Sequence, residues 1–137
     1  MSAHDQLYPQ ATRELAAQRK DLAPGPANAF RAFSQSVFAD GAIPARTKQL
    51  IAVAVAHVTQ CPYCIRGHTR AALQQGATAE AIMEAIWVAA EMRAGGAYAH
   101  SALALETIAN VQSETSGQVN ASGPIAPTGE HPVPREP

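Results

Sequence analysis

From Tyr8 to about Val111 the apolar residues recur at helical intervals, and Val and Ile never alternate with polar residues for long. With no Asn-Gly hairpin signal in that span, the pattern predicts helix throughout and an all-α fold. A first helix is expected over residues 10–20, ended by Ala23-Pro24-Gly25-Pro26. A second follows over residues 27–38, where Phe30, Phe33, Val37 and Phe38 form an apolar stripe, and Asp40-Gly41 breaks the chain after it. Pro44 suits the first turn of a third helix over residues 44–58. Pro62 fits the first position of a fourth, which makes Cys61 its N-cap, and Gly76 closes it as the residue beyond the C-cap. Thr78 caps a fifth helix over residues 79–93 that buries Ile82, Ile86 and Ala89. Gly95-Gly96 is expected to end it, and a sixth helix follows over residues 97–111. Connections of two to five residues make neighbouring helices antiparallel.

Beyond the sixth helix the pattern changes. From Gly117 the chain turns to Ser, Gly, Asn, Pro and Thr, and five of its ten prolines fall within the last fourteen residues. Such a segment cannot bury enough apolar surface to offset its ordering entropy. Residues 1–112 are therefore expected to form one helical domain and residues 113–137 a disordered tail. The helices are rich in alanine, which lets backbones approach closely but supplies little bulk for a core of about a hundred residues. Apolar helix faces are accordingly expected to be shared between subunits.

Composition narrows the function. The formal net charge is −1 and only 5% of residues are aromatic, so the chain has neither the basic footprint nor the stacking platform of a nucleic-acid binder. The N-terminal residues lack the basic start and apolar middle of a signal peptide. The longest apolar run, residues 50–58 interrupted by His57, is far short of the roughly 20 residues that cross a bilayer. The expectation is a cytoplasmic protein without membrane or nucleic-acid partners, in which two cysteines are redox-active or metal-binding rather than a permanent staple.

Those cysteines lie in Cys61-Pro62-Tyr63-Cys64-Ile65-Arg66-Gly67-His68. One face of the fourth helix carries Cys61, Cys64, Ile65, His68, Ala72 and Gln75, and the opposite face carries Arg66, Arg70 and Gln74. At i and i+3 on a helix, two Cα atoms lie about 5 Å apart, within disulfide range. His68 follows Cys64 by four residues, so its ring can lie over that sulfur. The free N–H groups and dipole at the helix start favour a thiolate, and a sulfenic acid on one sulfur can be captured by the other. Two other readings stand beside a dithiol centre. Buried cysteines often act only as small hydrophobes, and zinc could bind if His57 or His100 joined them, although ligands from one helical turn and a half make a poor tetrahedron.

Residues 44–100 resemble the AhpD-like branch of the carboxymuconolactone decarboxylase superfamily. The resemblance rests on Arg46-Thr47-Lys48-Gln49-Leu50-Ile51-Ala52-Val53-Ala54-Val55-Ala56, then Cys61-Pro62-Tyr63-Cys64 with His68, then Arg70-Ala71-Ala72-Leu73, Gly76-Ala77-Thr78 and Gly95-Gly96. It implies an all-helical AhpD-like domain of about six helices that assembles into homo-trimers or hexamers. It also implies a thiol-dependent peroxidase or disulfide reductase in which Cys61 and Cys64 cycle between dithiol and disulfide, with no cofactor and no metal. The substrate would be a hydroperoxide or a disulfide, and a thiol reductant would close the cycle. The alternatives on this scaffold are a non-redox enzyme of the lactone decarboxylase kind and a non-catalytic helical oligomer. The true lactone decarboxylases lack the CxxC.

One position departs from the family pattern, which has a glutamate twelve residues before the first cysteine, at the outer end of a proton relay. Here that residue is Gln49. An amide can orient His68 or a water but cannot titrate near neutral pH, so turnover with peroxide is expected to be slow; alternatively Gln49 only satisfies a backbone group. Glu84 or Glu91 on the fifth helix could approach the site, although a solvated face is the plainer explanation of both. On helix geometry Cys64 is the attacking sulfur, assisted by His68, and Cys61 resolves.

Overall fold

The computed structural model describes residues 7–121, and these contain six helices and no strand. They are α1 (Arg13–Leu22), α2 (Pro24–Phe38), α3 (Ala45–Thr59), α4 (Pro62–Gln74), α5 (Ala79–Ala99) and α6 (Ser101–Ala121). The chain divides into two compact units, one reaching to Ala94 and the other starting at Gly95. Among the described residues no helix is long and apolar enough to cross a membrane.

Most helix ends follow from local chemistry. Thr12 caps α1 by accepting from the Leu15 N–H at 3.2 Å. The Glu14 carboxyl in that first turn is held below its ordinary pKa by its backbone hydrogen bond and then by the Thr12 hydroxyl. No loop separates α1 from α2. Ala23 ends one helix and caps the next, because Pro24 and Pro26 lie in a first turn whose N–H groups need no intrahelical partner. Pro44 is the N-cap of α3 rather than its first residue, and the Asp40 carboxylate accepts from the Ala45 N–H at 2.7 Å. Lys48 reaches back from α3 and donates to the Val37 and Ala39 carbonyls at 2.8 and 2.6 Å, tying down the C-terminus of α2. At the end of α4, Gly76 has φ +84°, and the Gly76 and Ala77 N–H groups bond the Leu73 and Ala72 carbonyls at 3.0 and 2.9 Å. That is the expected glycine closure.

Two expected ends move. Gly95-Gly96 does not terminate α5, which continues to Ala99. Neither glycine adopts positive φ, so the pair costs only the roughly 1 kcal/mol per residue of helical glycine. The boundary between the two compact units nevertheless falls beside it. The last helix runs on past Val111 to Ala121, so residues 113–121, assigned above to the tail, are helical. Its hydroxyl residues stay in the helix by donating back to preceding carbonyls. Thr115 bonds Val111, Ser116 bonds Gln112 and Ser113 bonds Asn110, at 2.9, 2.9 and 2.7 Å. The rest of the expected tail, residues 122–137, lies outside the described residues.

The core of the first unit is small. Val53 of α3, Ala72 of α4, Ala77 of the α4–α5 link and Ile82 of α5 form one cluster, with Leu50 and Ile86 packed against it. Its many alanines let α3 and α4 pack closely, and the contacts that position the site lie along this pair. Ile82 and Ala89 are buried as expected, while Ile86 is half-buried. Much larger side chains remain outside. Phe30 and Phe33 of α2 are 70% and 64% exposed, and Trp87 of α5 is 67% exposed.

Candidate active site

The site starts where α3 ends. Gln60 takes the left-handed conformation, φ 55° and ψ 44°, and this turns the chain sharply into Cys61. Cys61 is extended and acts as N-cap of α4; its sulfur accepts from the Cys64 N–H at 3.2 Å and its carbonyl from the Ile65 N–H at 2.9 Å. Pro62 takes the first helical position, where it needs no N–H partner. Both cysteines are half-buried and joined to each other as a disulfide, with Cα atoms 5.2 Å apart. The pair therefore has the spacing that the helical register implies.

One turn further, His68 Nδ1 lies 2.9 Å from Gln49 Oε1. An amide oxygen can only accept, so Nδ1 donates in this bond and Nε2 is left to face the site. Gln49 thus bonds the imidazole rather than a backbone group. The imidazole also stacks on Phe38, centroids 5.1 Å apart and planes 30° apart. Ring and amide together fix the histidine. Phe38 was legible in the sequence only as one member of the α2 stripe; its contact with His68 depends on Lys48 holding the end of α2.

Cys64 and His68 line two open clefts. One, of about 420 Å³, is apolar, with Val37, Phe38, Ile51 and Val55 among its walls. The other, of about 510 Å³, adds Gln49, Tyr63 and Gly67.

The remaining candidates sit elsewhere. His57 is engaged through Nδ1 with the Val53 carbonyl at 2.7 Å. His100 lies in the link between α5 and α6 and is exposed. Glu80, Glu84 and Glu91 are all exposed, and neither Glu84 nor Glu91 lines the clefts at Cys64. Among the described residues no three His, Cys, Asp or Glu side chains converge as a metal site.

Residues 24–107 match the model of the carboxymuconolactone decarboxylase family. The chain belongs to that family. Uncharacterised protein 4 of the cox locus of Paracoccus denitrificans is 69% identical over 81 residues, or 59% of this chain and 73% of that protein. A solved structure from Methanobacterium thermoautotrophicum is 35% identical with a TM-score of 0.57, covering 60% of this chain and 92% of that one. A carboxymuconolactone decarboxylase family protein from Legionella pneumophila is 33% identical with a TM-score of 0.56, covering 58% of this chain and 70% of its own. The AhpD-like resemblance carried by the Cys61–His68 stretch therefore agrees with the family and with its helical fold.

Proposed function

We propose that this carboxymuconolactone decarboxylase family member is a thiol-dependent peroxidase and disulfide oxidoreductase. The observation that carries the reading is the Cys61–Cys64 disulfide at the N-terminus of α4, beside a histidine held through Nδ1 by Gln49. In the reduced state, His68 Nε2 takes the Cys64 thiol proton, and the thiolate attacks the terminal oxygen of a hydroperoxide. The O–O bond breaks, the alcohol leaves with the proton from the imidazolium, and Cys64 becomes a sulfenic acid. Cys61 then attacks the Cys64 sulfur, water leaves, and the disulfide forms. Two equivalents of an external thiol restore the dithiol, the first attacking Cys61 at the helix start and the second cleaving the mixed disulfide. No metal or cofactor enters this cycle.

The apolar cleft favours an organic hydroperoxide over hydrogen peroxide, since Val37, Ile51 and Val55 give a hydrocarbon body somewhere to lie. The working form is a homo-oligomer, trimer or hexamer, in which exposed apolar side chains such as Phe30, Phe33 and Trp87 find partners.

The test is a single turnover of the reduced protein with tert-butyl hydroperoxide. Wild type should lose two thiols and two mass units. Cys61→Ser should stop at a sulfenic acid on Cys64 that a dione reagent traps, and Cys64→Ser should leave the peroxide unconsumed. Equal turnover in all three proteins would sink the redox reading.

A further inference from the structure

On the side of α4 away from the core lies a third cleft, of about 330 Å³, that the proposed cycle does not use. Its walls are Tyr63, Arg66, Gly67 and Arg70 of α4 with Gln10 and Ala11 of the segment before α1. That segment is fastened in place. The Tyr63 hydroxyl donates to the Pro9 carbonyl at 2.8 Å, and the Tyr8 and Tyr63 rings meet edge-to-face at 6.1 Å. Two guanidinium groups one helical turn apart face a cleft whose lining contains no carboxylate. Arginine pairs of this kind suit the two oxygens of a carboxylate.

The cleft also adjoins the reactive one. Tyr63 and Gly67 line both it and the cleft containing Cys64, His68 and Gln49. At Gly67 an added Cβ would meet nothing within 4 Å, so packing does not demand a glycine there. Its missing side chain keeps the ridge between the two clefts low. Along the helix axis Arg66 and Arg70 lie about 3 and 9 Å beyond Cys64, at 1.5 Å per residue. Around the axis, at about 100° per residue, Arg70 lies about 120° from Cys64 with Gly67 midway between them. A small organic molecule lying across Gly67 can therefore put one end at the sulfur, while the long Arg70 and Arg66 side chains reach round to the other.

We infer that Arg66 and Arg70 form the carboxylate subsite of the substrate, which is a small organic hydroperoxide bearing an acid group several bonds from the peroxide. This rests on the peroxidase reading for its chemistry, but the subsite itself can be tested apart from that reading. The attack, O–O cleavage and resolution by Cys61 proceed as above; the arginines contribute binding and orientation.

The first arm is binding to the oxidised protein, whose disulfide cannot react with peroxide. 4-Isopropylbenzoate, titrated while the arginine Nε–H resonances are followed, should saturate and shift Arg66 and Arg70. Its neutral amide should bind about tenfold more weakly, as expected for loss of a charge-assisted contact. Arg66→Gln with Arg70→Gln should erase the difference. Shifts confined to other residues, or equal binding of acid and amide, overturn the proposal. The second arm compares cumene hydroperoxide carrying a 4-carboxylate with its methyl ester on reduced protein. The acid should react about tenfold faster, and the ratio should fall towards one in the double arginine variant and in Gly67→Leu. A wild-type ratio of one overturns the link between subsite and chemistry. If acid and ester are both inert, the peroxidase reading fails and the titration alone decides whether the carboxylate site exists.

Discussion

Helices α4 and α6 answer their sequences in opposite ways. In α4 each distinctive residue meets a partner: Cys61 meets Cys64, His68 meets Gln49 and Phe38, Ala72 is fully buried, and Gly76 closes the last turn. In α6 every residue from Ser101 to Gly117 is exposed, and the side-chain hydrogen bonds of its hydroxyl residues return to its own backbone. Leu105, Ile108 and Val111 still repeat at three-residue spacing, and each is at least half exposed. A helix of that kind is stabilised by packing on one face rather than by propensity alone. The contrast teaches where one copy of the chain suffices. The candidate site is assembled within one copy of the chain, whereas α6 carries an exposed apolar stripe that the proposed oligomer would cover.

The widest expected effects fall on the α4 side. Cys64→Ser should bring peroxide consumption to background, and His68→Ala should lower its rate by about a hundredfold, within the range for a general base. Both are read from single-turnover thiol loss, with circular dichroism confirming that the helices persist. A His68→Ala rate equal to wild type would detach the histidine from the chemistry and leave α4 only a structural disulfide.

On the α6 side, Leu105→Glu with Ile108→Glu should weaken subunit association by roughly a hundredfold or more, since each buried aliphatic side chain is worth about 1.5–3 kcal/mol. Sedimentation velocity checks this against wild type, which should travel as a trimer or hexamer. If wild type is a monomer at micromolar concentration, or the variant keeps its assembly, the stripe is not an interface and the contrast with α4 loses its meaning.

A smaller effect is expected inside the site. Gln49→Glu should raise the peroxidase rate about tenfold, because a carboxylate at the Nδ1 hydrogen bond stabilises the imidazolium that the neutral amide cannot. The gain should appear in the rate of thiol loss with peroxide and vanish in the His68→Ala background. An unchanged rate would mean that proton transfer does not limit the reaction.

The same two helices explain what could be read from sequence. The limits of α4 were legible because Cys61-Pro62 and Gly76 encode an N-cap, a first turn and a left-handed closure locally, and the i, i+3 and i+4 spacing set the relation of Cys61, Cys64 and His68. Gly95-Gly96 and the Ser/Thr run of α6 misled for the opposite reason. Residues that favour helix ends in isolation remain helical when glycine keeps negative φ and hydroxyls bond to preceding carbonyls. At the site, Gln49 was indicated by the family pattern, but its bond to His68 joins residues nineteen positions apart. Phe38 and the arginine cleft depend on α2 and the N-terminal segment being fastened by Lys48 and Tyr63, which no local pattern announces.

The smallest effect tests the hinge on which the site turns. Gln60 is the only described residue other than glycine with positive φ, in a region that costs L-residues roughly 1–2 kcal/mol and glycine almost nothing. Gln60→Gly should therefore stabilise the protein by about 0.5–1 kcal/mol, the gain reduced by the extra freedom glycine gives the unfolded chain. The matching change at the other end of α4, Gly76→Ala, should cost about 1–2 kcal/mol because φ is +84° there. Urea melts of the two variants give both signs, with the oligomer kept intact by working at fixed protein concentration. The stabilised Gln60→Gly protein should keep wild-type thiol reactivity, since the turn it relaxes already delivers Cys61 to the N-cap. A destabilised Gln60→Gly would show that the glutamine side chain holds this turn, and that the α3–α4 junction, like α6, depends on contacts outside its own helices.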